Sequence, residues 1–189
     1  MSKKLHIVKY TIILVILFSF SNSHAAGLFG FGKKQSKIKI GEQVPDFSGK
    51  YFNIQECKKE EEVTYSKDLK GKIVVLDFWS IYCVSCLQEI PKLDDIYKRY
   101  KDKDVVFIGV DLDTNKRRLC LFGDNPQNAI SSYRIIMDKT KAIANLFNVS
   151  ILPTTLIIDK EGKLVFLHEG YKAGDEDEIE EVIHKLTSE

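Results

Sequence analysis

The sequence predicts an α/β domain built on a mixed central sheet with helices on both faces. Three observations carry that prediction. Two continuous β-branched and apolar runs, Ile73 to Trp79 (IVVLDFW) and Val105 to Val110 (VVFIGV), have strand length and no polar alternation, as expected of strands covered on both sides. Between them Leu87, Ile90, Leu93, Ile96, Tyr97 and Tyr100 recur at steps of three and four, the pattern of an amphipathic helix. Near the C-terminus, Thr154 to Ile158 and Leu164 to Leu167 flank the turn Lys160-Glu161-Gly162-Lys163 and read as a hairpin. The strand–helix–strand crossover is expected to be parallel and right-handed.

In chain order, residues 1–25 read as an export signal peptide. Lys3, Lys4 and Lys9 make a positive start, Thr11 to Phe20 an apolar run, and Ser23 and Ala25 a small-x-small cleavage site after Ala25. The apolar run is half the length of a spanning helix; a leader retained as an N-terminal anchor stays open, because Leu5, Ile7 and Val8 lengthen it. Residues 26–37 carry glycines and lysines without apolar period and read as a flexible tether, leaving 38–189 as the folded domain. Strand candidates open that domain near Asp46–Phe47 and Val63–Tyr65, on either side of a charged run after Cys57 that reads as a solvated loop. Lys70-Gly71-Lys72 is a turn into the first buried strand. The helix after Cys83 runs to about Lys101 and contains Pro91, which should kink it. Lys116 to Phe122 forms a short helix in an otherwise hard-to-read stretch, Ile135 to Met137 a short apolar segment, and Thr140 to Phe147 a helix. Asp175 is placed as the cap of a last helix, with Ile179, Val182, Ile183 and Leu186 on one face.

Composition removes several classes of function. The 189 residues carry 28 Lys and Arg against 27 Asp and Glu, so no basic excess is present to neutralise a nucleic-acid backbone. Four cysteines are too few for a disulfide mini-scaffold, and the chain is long enough to bury a core without one.

The chemistry-bearing motif is Cys83-Val84-Ser85-Cys86, between a buried strand and a helix. Two intervening residues in a helical turn let the sulfurs close a small ring. Cys83 then sits at the helix N-terminus, where unpaired N–H groups and the dipole favour a thiolate, the species that attacks a disulfide. Cys86, one turn in, stays protonated until it resolves the mixed disulfide. Other uses of such a pair fit less well. A zinc site needs a second close pair, whereas Cys57 and Cys120 are isolated; a c-type haem site needs His after the second Cys, where Leu87 stands. An inert structural pair is uncommon at a strand-to-helix corner. Asp77 is flanked by Val74, Val75, Leu76 and Phe78 in the buried run, so its carboxyl is expected to hold its proton above the ordinary range.

Phe78-Trp79-Ser80-Ile81-Tyr82-Cys83-Val84-Ser85-Cys86 with Glu89-Ile90-Pro91 resembles the active-site stretch of the thioredoxin superfamily, and most nearly its exported TlpA/ResA-like thiol–disulfide oxidoreductases. Asp68 to Lys72, Leu152 to Asp159 and Glu161 to Lys163 resemble that branch's pre-strand turn, cis-proline segment and following hairpin. The resemblance runs from about Ile40 to Leu186. It implies a thioredoxin fold with an N-terminal strand extension, catalysis by Cys83 and Cys86, and Asp77 as proton acceptor for Cys86. It also implies a substrate surface at Trp79, Tyr82, Leu152 and Pro153, with Pro153 cis and the Leu152 backbone offered to a bound chain. Glu89 matches an acid common in the exported branch, a solvated first-turn residue being the other reading. Tyr82 replaces the usual Trp, Ser85 the frequent Pro, and Gly109 a lysine near the buried acid. In this branch the opening strands pack beside the second buried strand, which brings Cys57 and Cys120 within reach of a structural disulfide; two separate buried thiols and a second redox pair are the alternatives.

The function implied is an exported thiol–disulfide oxidoreductase, acting as a reductant of envelope protein disulfides, re-reduced by a membrane electron donor, with no cofactor, metal or nucleic acid. The competing function is a thioredoxin-fold chaperone holding Cu(I) on Cys83 and Cys86, for which His168 is a conceivable third ligand. A peroxidase of the same superfamily would need a Pro-x-x-x-Thr/Ser-x-x-Cys loop, which the sequence lacks.

Overall fold

The computed structural model describes residues 38–128 and 130–188. The leader at 1–25 and the tether at 26–37 lie outside them. The chain runs through β1 (Ser48–Phe52), β2 (Glu61–Thr64), a single π-helical turn (Tyr65–Leu69), β3 (Ile73–Trp79), α1 (Val84–Tyr100), β4 (Val105–Asp111) and α2 (Lys116–Gly123). It continues through β5 (Arg134–Met137), α3 (Ala142–Leu146), β6 (Thr154–Ile158), β7 (Leu164–Glu169) and α4 (Asp175–Ser188).

The strands form one sheet in the order β2-β1-β5-β4-β3-β6-β7. β3, β4 and β5 are mutually parallel, whereas β6 lies antiparallel to β3 and β7 antiparallel to β6. β1 pairs antiparallel with β5 and adds the β1–β2 hairpin to that edge. This is a thioredoxin fold with an N-terminal strand extension.

All seven side chains of β3 are buried, and their alternation divides the core. Val74, Leu76 and Phe78 join Ile108, Val110, Leu156 and Ile158 on one face, closed by Phe47, Tyr65 and Phe147. Ile73 and Val75 meet Leu93 and Ile96 of α1 and Ile179 and Ile183 of α4 on the other. Trp79 continues that second face and packs with Cys86 and Ile90. Burial of each large aliphatic side chain contributes about 1.5–3 kcal/mol, so β3 is the chief stabilising element as well as the one that aims the motif.

Several boundaries differ from the sequence reading. The opening strands start later than Asp46–Phe47 and earlier than Val63–Tyr65. Phe47 is a core residue stacked on Tyr65 at 5.4 Å, and the Asp46 carboxylate accepts from the Ser66 N–H and hydroxyl, closing the π-helical turn. β2 is the edge strand and β1 lies next to it, and they expose Glu62 and Lys50, so they lack the apolar signature of a core strand. The helix expected over Thr140 to Phe147 shortens to α3, because Lys141 takes φ 57° and Asp138 accepts the N–H groups of Ala142 and Ala144. Asp175 is the first residue of α4 and not its cap; its carboxylate accepts the Lys172 N–H and contacts His168. α1 continues through Pro91.

Candidate active site

The site is built at the end of β3, where the strand hands over to α1. Cys83 is the N-cap of α1, and its sulfur accepts the Cys86 N–H at 3.2 Å. The Ser85 hydroxyl lies 3.5 Å from the same sulfur. Two donors and the start of a 17-residue helix therefore converge on Cys83, which favours its thiolate. Cys83 is half-buried; Cys86 is fully buried in the cluster beneath it. The two are joined as a disulfide, with Cα atoms 5.2 Å apart.

The turn before Cys83 is held from β4's end. Asp113 accepts the Ser80 hydroxyl at 2.7 Å and the Ile81 N–H at 2.9 Å, and the Ser80 oxygen in turn accepts the Tyr82 N–H. Two further sulfurs flank this region: Cys57, in the β1–β2 loop, is disulfide-bonded to Cys120 in α2, Cα to Cα 5.9 Å. Cys57 packs in the same apolar cluster as Cys83 and Cys86.

Three carboxyls lie buried on the Cys86 side of the sheet or beside it. Asp77 shares the face of β3 that carries Trp79. Its Oδ2 accepts the Tyr133 hydroxyl at 2.9 Å, and its Oδ1 has no protein partner among the described residues. Burial pushes its pKa up to about 7. Glu89, one turn beyond Cys86, accepts the Thr155 hydroxyl at 3.0 Å and leaves Oε2 unpartnered. Burial, then the nearby Asp77 charge, pushes Glu89 up to about 9. Thr155 pairs with Asp77 across β3 and β6, so acid, hydroxyl and acid stand together under the motif. Asp111, at the end of β4 beside Trp79, is buried with no hydrogen-bond partner for either oxygen among the described residues, and burial followed by the Asp113 side chain pushes it up to about 8. These groups can hold protons at neutral pH where an ordinary carboxyl cannot.

Of the residues named from sequence, Cys83, Cys86, Asp77 and Glu89 are gathered at one end of β3. Glu89 is buried, which removes the solvated first-turn reading. Pro153 is buried behind a cis Leu152–Pro153 peptide bond. Leu152 is half-buried against the cluster containing Cys83, and no other backbone group engages its N–H or C=O among the described residues. Tyr82 is 66% exposed beside Val84 (72%) and Ile151 (49%), an apolar rim around Cys83. Trp79 is a correction. The resemblance places it on the substrate surface, yet it is 2% exposed, because its place in β3 turns its ring onto Cys86 and Ile90. It supports the motif from beneath. His168, the conceivable copper ligand, has its Nε2 3.0 Å from Asp175 Oδ2.

Tyr133, Thr155, Asp111, Asp113 and Arg118 are site residues that the sequence reading does not single out. The Asp-x-Asp after the second buried strand is a readable signal for two of them. Gly109 lies between the Trp79 and Tyr133 rings. Any Cβ there would stand 3.0 Å from Trp79 Nε1 and 3.4 Å from the Tyr133 ring. The tight contact is with Trp79, so the missing side chain makes room chiefly for the indole, with the Tyr133 ring packed alongside.

Residues 40–167 match the family model described as AhpC/TSA. The chain belongs to the AhpC/TSA family. Within this family, it is 32% identical to "Thiol-disulfide oxidoreductase ResA" of Bacillus cereus, over 98% of this chain and 99% of that protein. It is 34% identical to the protein of the same name in Bacillus thuringiensis, over 86% of this chain and 87% of the relative. A crystal structure described as a putative thiol:disulfide interchange protein DsbE from Chlorobium tepidum superposes with a TM-score of 0.68 at 25% identity, covering 80% of this chain and 99% of that one. Fold and relatives together put this AhpC/TSA member among the thioredoxin-like thiol–disulfide oxidoreductases.

Proposed function

We propose that this thioredoxin-like oxidoreductase is exported and reduces disulfides of envelope proteins through Cys83 and Cys86. The observation that supports the reading best is the asymmetry of the pair: Cys83 half-exposed at a helix N-cap, Cys86 buried above two carboxyls of raised pKa. In the reduced protein the Cys83 thiolate attacks a substrate disulfide. A Cys83–substrate S–S bond forms, and the other substrate sulfur leaves as a thiolate and takes a proton. Asp77, with Glu89 beside it, accepts the Cys86 proton. The Cys86 thiolate then attacks Cys83 and releases the second substrate thiol. Two electrons pass to the substrate, and the Cys83–Cys86 disulfide is left. A membrane electron donor restores the dithiol. The Leu152 backbone, bonded to no other backbone group among the described residues, and the Tyr82 rim support a substrate chain lying across Cys83. The lysine-led apolar leader supports export.

Cys86→Ser is the test. It leaves Cys83 able to attack and unable to be resolved, so mixed disulfides with envelope proteins should accumulate and be identifiable by mass spectrometry. Absence of adducts in Cys86→Ser, with their appearance in Cys83→Ser instead, overturns the assignment. Fractionation with N-terminal sequencing tests export: a cytoplasmic full-length chain overturns that part alone.

A further inference from the structure

Arg118 stands outside the mechanism just given, yet its position is closely defined. Its guanidinium Nη1 donates to the Tyr82 hydroxyl at 2.8 Å, next to the attacking cysteine in sequence. Both side chains are solvent-exposed. The helix that carries Arg118 is fixed at three points. Leu119 is fully buried, Cys120 is bonded to Cys57, and Gly123 lies so close to Ile54 that a Cβ would meet its backbone oxygen at 2.8 Å. A guanidinium has five N–H donors in a planar fork, so one bond to Tyr82 leaves most of them facing outward. No carboxylate is ion-paired with Arg118 among the described residues: Glu60 pairs with Lys116, and Asp113, still charged, accepts from Ser80 and Ile81. Arg117, also exposed, has no ion pair among the described residues and adds to the positive field.

We propose that Arg118 is a specificity-determining residue, selecting protein partners whose target cysteine is followed or preceded within about three residues by an acidic side chain. The span from Cys83 across the Tyr82 ring to the fork corresponds to roughly two or three residues of extended chain. Tyr82, Val84 and Ile151 supply apolar contact around the cysteine, and the fork offers a bidentate seat for a carboxylate at the edge. The proposal rests on the oxidoreductase reading and adds to it a substrate class.

The test uses the full protein reduced at Cys83–Cys86 and three disulfide-bonded peptides identical except for Glu, Gln or Lys at the second and third positions on either side of the cysteine. The readout is the ratio of kcat/KM for the Glu and Lys peptides within each protein, so a general loss of activity in a variant cancels. The parent protein should prefer the Glu peptide by about fivefold, the scale of one well-formed exposed ion pair, and lose the preference in high salt. Arg118→Gln should bring the ratio close to one, Arg118→Glu should invert it, and Arg118→Lys should keep part of it. A ratio near one in the parent, or an unchanged ratio in Arg118→Gln, overturns the proposal while leaving the oxidoreductase reading intact. Exchange with none of the peptides overturns that reading, and the proposal with it.

Discussion

The Tyr133 hydroxyl donates to Asp77 at 2.9 Å, and both groups are buried. A neutral donor thus holds the acid. This bond works against burial, which is the larger influence on the Asp77 proton. Tyr133→Phe removes the donor alone. The pKa governing resolution should rise by up to about one pH unit, the worth of one neutral hydrogen bond. The pH profile of single-turnover release checks it, and an unmoved profile would assign Tyr133 to packing only.

Asp77→Asn should slow resolution far more than the initial attack, because only the resolving thiol is buried and needs its proton removed. Stopped-flow reduction against release in a single turnover separates the two steps. Equal slowing of both would make Asp77 a structural residue.

The same acids set a pH dependence of stability. Folded Asp77, Asp111 and Glu89 hold protons up to about 7, 8 and 9, where the unfolded chain has already released them near the ordinary 3.8 to 4.5. The folded state therefore binds more protons, and stability should fall as pH rises from about 4 to about 9. Each proton retained in this way costs about 1.4 kcal/mol of stability for every pH unit over which it is held. Asp77→Asn is expected to match the parent near pH 4 and to exceed it at pH 8. Denaturant melts at both values would show it; a parent whose stability rises across this range contradicts the assignment.

The Cys57–Cys120 bond closes a 63-residue span. Chain entropy sets its stabilising effect at about 4 kcal/mol, so Cys57→Ser and Cys120→Ser should each unfold at markedly lower denaturant. Mild reduction should open Cys83–Cys86 first, because the helix N-terminus stabilises Cys83 as the leaving thiolate. Denatured, oxidised protein should contain no free thiol; two would disprove the bridge.

What the sequence discloses follows from where the signal is physically strong. β3 and β4 are continuous apolar runs because both faces are covered, and they are readable almost to the residue. α1 and α4 each pack one stripe on the sheet and show it as period. β2 is the edge strand and β1 joins the sheet only through β5 far along the chain, so their local pattern is weak and their bounds are misjudged. At the site, Cys83 and Cys86 announce themselves by spacing and Asp77 by its apolar neighbours. Tyr133 and Thr155 come from distant strands and become partners only through register. Arg118 looks like any surface cation until α2 is laid beside Tyr82. Trp79 misleads because its position next to the motif in sequence says nothing about which face of β3 it takes.

The bridge between Cys57 and Cys120 turns the covalent chain into a ring with two tails, and β3, α1 and the redox pair all lie on the ring. A force applied at the two ends passes through the bridge and bypasses everything between. Pulled taut, the oxidised molecule is shorter by roughly 220 Å of contour than the reduced one. One backbone cut anywhere on the ring leaves the pieces joined. Tension thus reaches Cys83, and a single nick on the ring separates the pieces, only after a reductant has first cut Cys57 from Cys120.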